Sequence, residues 1–91
     1  MSEKTERELA AVDAALTGDD ATLDKLVSDK DPDVRVFVAK AGRPQDLDVL
    51  VNDPSAIVRA AVAHYGRPED RQKLLGDQSP IVREEAHRGL L

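Results

Sequence analysis

The chain repeats itself with a period of 24 residues, and this period strongly limits the folds that it can adopt. Placed over one another without gaps, residues 29–52 and 53–76 are identical at ten of 24 positions. Periods of this length are typical of architectures built from stacked supersecondary units. Weaker matches extend the register in both directions. The sequence therefore divides into a degenerate unit (5–28), two full units (29–52 and 53–76) and a truncated unit (77–91), within one domain spanning 1–91.

Each unit is predicted to contain a longer helix followed by a shorter one. Pro32 and Pro80 stand where the first turn of the longer helix should lie, a position that needs no N–H. Gly42 and Gly66 are predicted to end the longer helices in the left-handed conformation, and Pro44 to begin a short helix. The apolar residues between these markers recur at helical spacing and do not alternate as in a strand. An all-α protein without a β-sheet is the result that we expect.

Composition restricts both the core and the location of the protein. Phe37 and Tyr65 are the only aromatic residues, and we expect both to fill the core beside Ala, Val, Leu and Ile. The absence of cysteine excludes disulfides and thiolate metal sites. No apolar run approaches the roughly 20 residues that span a bilayer, and the N-terminal residues lack the apolar segment of a secretory signal. We therefore expect a cytoplasmic protein.

The pattern Asp-x4-Val-Arg-x2-Val-Ala-x2-Gly-x-Pro-x5-Leu, which runs from Asp29 to Leu50, resembles the leucine-rich repeat variant family, a relative of the HEAT repeats. The resemblance covers essentially the whole chain, although the first and last units match less well, and Gly-Arg-Pro stands where the family often has Asn-Pro. It implies a right-handed α-solenoid in which a regular helix alternates with a short α or 3₁₀ helix. The motif is specific for fold and not for function. The iron–sulfur module of some members requires cysteines that this chain lacks.

Aspartates and arginines recur in equal numbers at fixed repeat positions. One interpretation is a row of arginines that recognises phosphate or carboxylate groups. The other, which the family resemblance implies, is a structural ladder in which each carboxylate receives a guanidinium from its own or the next repeat. The equal numbers favour the ladder. Its predicted members are Asp29, Arg35, Asp53, Arg59, Asp77 and Arg83.

Five basic residues are candidates for partner binding. Lys40, His64 and Arg88 share one repeat position near the end of the longer helix, and Arg43 and Arg67 follow just beyond it. Cations at this position could simply complement the helix dipole, or they could form a basic ridge that faces a partner. If they form such a ridge, reversing Lys40, Arg43 and Arg67 to Glu should weaken binding and leave the fold intact.

No set of residues in the sequence is typical of an enzyme or of a cofactor site. His64 and His87 occupy different repeat positions and lack the companion ligands of a metal site. No nucleophile motif or phosphate-binding glycine loop occurs, and the adjacent Glu84 and Glu85 point apart on a helix. We therefore expect neither catalytic activity nor a cofactor.

The predicted function is a non-catalytic scaffold that binds an acidic segment or helix of a protein partner, whose identity the sequence does not reveal. The alternative is a HEAT-like module that binds nucleic acid through a basic stripe, which the net charge of −5 opposes. No membrane association is expected. The truncated unit has no short helix to cover four apolar residues, so either Leu90 and Leu91 fold back as a minimal cap or the C-terminal end forms a weak homodimer. These four are Leu74, Leu75, Val82 and Ala86.

Overall fold

A computed structural model describes residues 2–90, and within this range the chain forms seven α-helices and no β-strand. The prediction of an all-helical protein is therefore confirmed for the described residues. The bounds of the helices are α1 Glu3–Thr17, α2 Asp20–Leu26, α3 Pro32–Ala41, α4 Pro44–Leu50, α5 Ala56–Tyr65, α6 Pro68–Leu74 and α7 Pro80–Arg88.

Helix starts recur with the period of the sequence. The longer helices α3, α5 and α7 begin at Pro32, Ala56 and Pro80, which are 24 residues apart. The short helices α2, α4 and α6 begin at residues 20, 44 and 68, with the same interval, and all three are α-helical. Only α1 departs from the pattern, because it begins at Glu3 and has 15 residues where α3 and α5 have ten.

The helices pack in chain order. Each longer helix lies against the next, from α1 through α3 and α5 to α7, and each short helix contacts the longer helices on either side of it. Small side chains allow this close spacing, and each buried methylene group stabilises the fold by about 0.8 kcal/mol. The fully buried side chains at the centre include Val34, Val38, Ala39, Leu47, Leu50, Val58, Val62, Ala63 and Val82.

The two aromatic residues lie at the edge of this core. Phe37 is half-buried, and Tyr65 is 42% exposed. The expectation that both fill the core is wrong for Tyr65. The Val-Ala pairs on neighbouring helices already fill the space between α3 and α5, so the larger rings are left at the surface.

The two glycines that end the longer helices do so in different ways. Gly42 has φ 76° and ψ 21°, the predicted left-handed conformation. Gly66 instead has φ −84° and ψ −170°, so the prediction of a left-handed cap is wrong there. A Cβ at Gly66 would overlap the carbonyl oxygen of Val62 and lie 2.9 Å from Oδ2 of Asp70. Glycine is needed at this position because the backbone and a buried carboxylate approach it closely.

The C-terminal end is largely covered within one chain. Leu74, Val82 and Ala86 are buried, and Leu75 is half-buried. These four residues are therefore covered within one chain, whereas Ile81 on α7 and Leu90 just after it remain exposed. The homodimer through this end stays a prediction. None of the described helices combines the length and the apolar character needed to cross a membrane.

Candidate interaction surface

The predicted ladder residues connect each unit to the one that follows it. Nε and Nη2 of Arg35 donate to the two carboxylate oxygens of Asp53, at 2.9 and 3.0 Å. Nη1 of the same guanidinium donates to the carbonyl oxygen of Asp29 at 2.7 Å. Arg59 repeats this geometry with Asp77 and the carbonyl oxygen of Asp53. Each aspartate thus receives the arginine of the preceding unit through its carboxylate, and that of its own unit through its carbonyl.

The first and last members of this ladder differ from the middle ones. Position 11, which matches Arg35 in the repeat, is a buried alanine. Arg7, one helical turn earlier on the extended α1, donates instead to Asp29 at 2.7 Å. The repeat does not predict Arg7, because this arginine occupies a different repeat position from Arg35. At the other end, the exposed Arg83 donates only to the carbonyl oxygen of Asp77 and has no carboxylate partner among the described residues.

The ladder carboxylates also hold the turns that precede the longer helices. Asp53 and Asp77 accept a hydrogen bond from the backbone N–H two residues ahead, on Ser55 and Ser79. The hydrogen bond from Arg59 lowers the pKa of Asp77 against the opposing effect of burial. Groups engaged in this way are committed to the fold, and Arg35 and Arg59 are not free to bind a partner.

A second set of ion pairs, which the sequence did not suggest, ties the short helices together. Nε and Nη2 of Arg43 donate to the carboxylate of Asp46 at 2.7 and 2.9 Å, and Nη2 also donates to Asp24 of the preceding unit at 2.8 Å. The hydrogen bonds that Arg43 donates to these carboxylates, Asp46 first, raise its pKa above the ordinary value. The Arg43 side chain is only 11% exposed. We call these contacts, with their counterparts around Arg67, the short-helix ion pairs.

Arg67 makes the equivalent contacts one unit later. It donates to both carboxylate oxygens of Asp70, through Nε and Nη2, and to Asp48 of the preceding unit. Asp70 is fully buried. Burial favours a raised pKa for this carboxyl, but hydrogen bonds from the side chain and backbone of Arg67 outweigh it, and the pKa of Asp70 is lowered. In the ladder, an arginine binds a carboxylate of the following unit. In the short-helix ion pairs, an arginine binds a carboxylate of the preceding unit.

The other three candidate basic residues lie on the exposed side of the longer helices. The Lys40 ammonium is 5.7 Å from the centre of the Tyr65 ring and has no carboxylate partner among the described residues. Nδ1 of His64 lies 3.1 Å from Oε2 of Glu85. Arg88 donates to Glu84 and Glu85. The five candidates therefore do not form a single unpaired basic ridge, because Arg43, Arg67 and Arg88 are all matched by carboxylates.

The exposed side of the longer helices is instead marked by apolar residues. Among the described residues, eight large hydrophobic side chains are exposed, and six of them lie on α1, α5 and α7. Leu9, Ile57 and Ile81 share one repeat position, and Leu16 shares that of Lys40. We call this surface the long-helix face. Its exposed apolar members are Leu9, Val12, Leu16, Ile57, Tyr65 and Ile81.

The contacts between neighbouring longer helices change from apolar to ionic along the long-helix face. Between α1 and α3, an open hollow of about 180 Å³ is lined by Val12, Ala15, Leu16, Phe37, Lys40 and Ala41. Between α3 and α5, Lys40 approaches the ring of Tyr65. Between α5 and α7, His64 meets Glu85. The apolar character is thus concentrated at α1 and α3, and we call the hollow there the α1–α3 groove.

A second hollow, of about 350 Å³, lies between the turns that precede α5 and α7. Asp53, Arg59 and Asp77 line it, but their charged groups are engaged in the ladder. Every buried side-chain nitrogen or oxygen in the described part of the chain has a hydrogen-bond partner. No three His, Cys, Asp or Glu residues within 2–90 are arranged to hold a metal ion.

Fold and surface together define a class: within residues 2–90, an all-α protein whose helices pack in chain order and whose longer helices carry both exposed apolar and exposed charged side chains. Comparisons with protein-family models, with curated proteins and with solved structures gave no significant match.

Proposed function

We propose that this protein is a non-catalytic interaction module that binds a protein partner through the long-helix face. The observation that carries the proposal is the concentration of exposed large hydrophobic side chains on that face. Isolated apolar residues are normal on any surface, but grouped apolar residues mark interaction sites, and Val12 and Leu16 line one hollow together with Phe37. Arg35 and Arg59 of the ladder and Arg43 and Arg67 of the short-helix ion pairs are bound to carboxylates within the chain, which favours the long-helix face over these arginines for recognition.

We also propose that the stack of helices is a short right-handed α-solenoid of the HEAT-like type, as in the leucine-rich repeat variant family. The recurrence of helix starts every 24 residues and the contact of each longer helix with the next support this assignment. Solenoids present extended surfaces, and an extended surface suits a macromolecular partner better than a small substrate. The proposed location is the cytoplasm.

The chemistry of the long-helix face favours an amphipathic helix as the partner segment. Apolar side chains spaced three, four or seven residues apart on such a helix fit between parallel helices. Lys40 lies exposed in the last turn of α3 without a carboxylate partner in the described residues, so an acidic residue on the partner would match it. Charge matching of this kind adds more to specificity and association rate than to affinity.

Nucleic-acid binding is the second candidate, and the ion pairs argue against it. A phosphate backbone is bound by cations in numbers, each with its charge available. Arg43, Arg67 and Arg88 are matched by carboxylates, and the chain carries a net charge of −5. An electrophoretic mobility-shift experiment with duplex DNA at low salt should show no complex.

The proposed function is tested by capture with matched surface variants. Ile57 is 50% exposed in the first turn of α5, on the long-helix face, and Val49 is 62% exposed on the short helix α4. Tagged wild type, Ile57→Glu and Val49→Glu would each be used as bait in an extract of the source cells, with quantitative mass spectrometry. We expect a protein that wild type and Val49→Glu retain and Ile57→Glu loses.

Binding of that protein, once purified, should then be at least about tenfold weaker to Ile57→Glu than to wild type. If no protein distinguishes Ile57→Glu from Val49→Glu, the long-helix face is not the binding surface and the proposal fails.

A further inference from the structure

We propose that a second copy of this chain occupies the α1–α3 groove, so that the protein forms a weak isologous dimer through α1 and α3. The proposal concerns the same face as the proposed function, but it does not depend on the existence of a foreign partner. The proposal rests on the residues that line the groove, on the charged residues beside it and on the dimensions of the molecule.

Helix α1 is an edge helix with an unpartnered apolar stripe. It packs on α3 and on α2, and no other described helix flanks it. Leu9, Val12 and Leu16 are spaced three and four residues apart, so they share one side of the helix. Their exposed fractions are 50%, 36% and 81%. The later units carry Lys40, His64 and Arg88 at the position of Leu16, so only the first unit has an apolar residue there.

The α1–α3 groove offers a complementary surface for such a stripe. Its walls are aliphatic or aromatic, apart from the ammonium of Lys40 at the rim. Phe37 forms one wall and remains half-buried in the single chain. Val12 and Leu16 of the stripe form the other wall, so stripe and groove are one apolar patch. In an isologous pair each copy contributes the same patch, so this patch would meet its own copy.

Charge at the rim favours a second copy over an unrelated acidic helix. Lys40 on α3 and Asp13 on α1 are both exposed, and neither has an ion-pair partner among the described residues. One surface thus displays an unpaired cation and an unpaired anion close to its apolar stripe. Two copies can satisfy both charges at once, whereas an acidic helix would satisfy Lys40 and leave Asp13 facing a like charge.

The size of the molecule sets the strength of the dimer. Its two longest dimensions are 35 and 23 Å, and its total accessible surface is 5255 Å². Stable dimers bury about 800 Å² on each partner. The α1–α3 part of a face falls below that size, and a net charge of −5 on each copy opposes association. Dimerisation should therefore appear only at high protein concentration.

Sedimentation velocity of the full chain over a hundredfold concentration range tests the proposal. Wild type should shift from a monomer boundary toward a dimer boundary as the concentration rises. Leu16→Glu should weaken the dimer at least about tenfold, and Val49→Glu on the opposite, short-helix layer should behave as wild type does. Leu16 is 81% exposed, so the variant should keep the circular dichroism and melting temperature of wild type.

A wild-type boundary that stays monomeric at every concentration overturns the dimer and leaves the face to a foreign partner. So does a Leu16→Glu variant that dimerises as well as wild type. The capture experiment with Ile57→Glu is scored separately, since it detects a foreign protein, and either proposal can fail while the other stands.

The rim charges give a second measurement. Lys40→Glu and Asp13→Lys should each weaken the dimer. The double variant should dimerise more strongly than either single variant. Recovery supports pairing between the two copies. A double variant that is weaker than both single variants contradicts the assigned occupant, because charge complementarity within a homodimer requires the exchange to be tolerated.

Discussion

Arg59 and Asp77 are 18 positions apart in the chain, and two hydrogen bonds of 2.9 and 3.2 Å join the guanidinium to both carboxylate oxygens. The third donor group of Arg59 binds the carbonyl oxygen of Asp53, at the turn where its own unit begins. One side chain thus fixes the turns at the starts of two successive units. In a stack where each unit contacts only its neighbours, such a link contributes directly to the coupling between units.

Arg59→Ala should reduce the free energy of unfolding by about 3 kcal/mol, because it leaves the nearly buried carboxylate of Asp77 without its charged donors. Urea unfolding followed by circular dichroism at pH 7 measures the loss. Arg83→Ala is the matched control at the same repeat position. Arg83 is exposed and makes one hydrogen bond, so its removal should cost less than about 0.5 kcal/mol. Equal losses in the two variants would mean that the carboxylate contact contributes nothing.

The stability of the fold should fall steeply below about pH 4. The pKa of Asp77 is lowered from its usual value of 3.8 by hydrogen bonds from Arg59, and that of Asp70 is also lowered. A carboxyl group with a lowered pKa in the folded state stabilises the fold above its unfolded pKa. That stabilisation is lost as the pH falls through the folded value. Urea unfolding at pH 7, 5, 4 and 3 should show little change between pH 7 and 5.

Asp77→Asn tests the origin of this pH dependence. The variant should be less stable than wild type at pH 7 and lose less stability between pH 4 and 3, because one of the responsible carboxyl groups is gone. A pH profile parallel to that of wild type would assign the acid sensitivity to other groups.

The ladder shows which contacts could be predicted from the sequence alone. The recurrence of Asp and Arg at fixed positions was enough to select the six residues, because a repeated unit places equivalent side chains in equivalent surroundings. The repeat could not predict the role of Arg7. Helix α1 begins five residues before the register of the other longer helices, and this extension carries an arginine at a different repeat position.

The short-helix ion pairs could not be predicted either. The separation of Arg43 from Asp46 is an ordinary helical spacing, and nothing in the sequence marks Asp46 as buried.

Helix ends show a similar limit. Gly42 and Gly66 look equivalent in the repeat, but only Gly42 adopts a positive φ. The sequence identified glycine as necessary at both positions and could not distinguish the two reasons. At Gly42 the reason is backbone conformation, and at Gly66 it is the close approach of the Val62 carbonyl and the buried Asp70 carboxylate.

Substitution of these glycines by alanine should separate the two reasons. Gly42→Ala should destabilise the fold by about 1 kcal/mol, the cost of a left-handed conformation for a residue with a Cβ. Gly66→Ala should cost more, about 2–3 kcal/mol, because the new methyl group overlaps the backbone and displaces a buried carboxylate. Thermal unfolding of both variants under one set of conditions gives the comparison. The reverse order would contradict the structure around Gly66.

Charge reversal at two of the candidate basic residues distinguishes the basic-ridge hypothesis from the arrangement in the structure. The hypothesis predicts that Lys40→Glu and Arg43→Glu both leave the fold intact, because both residues would face solvent. In the structure only Lys40 is exposed, while Arg43 is bound by the carboxylates of Asp46 and Asp24.

We therefore expect Lys40→Glu to unfold at the same urea concentration as wild type. Arg43→Glu places a third carboxylate against these two and leaves the buried Asp46 unpaired, at a cost of about 3 kcal/mol. If Arg43→Glu is as stable as wild type, the short-helix ion pairs do not hold the short helices together, and Arg43 becomes available for partner binding.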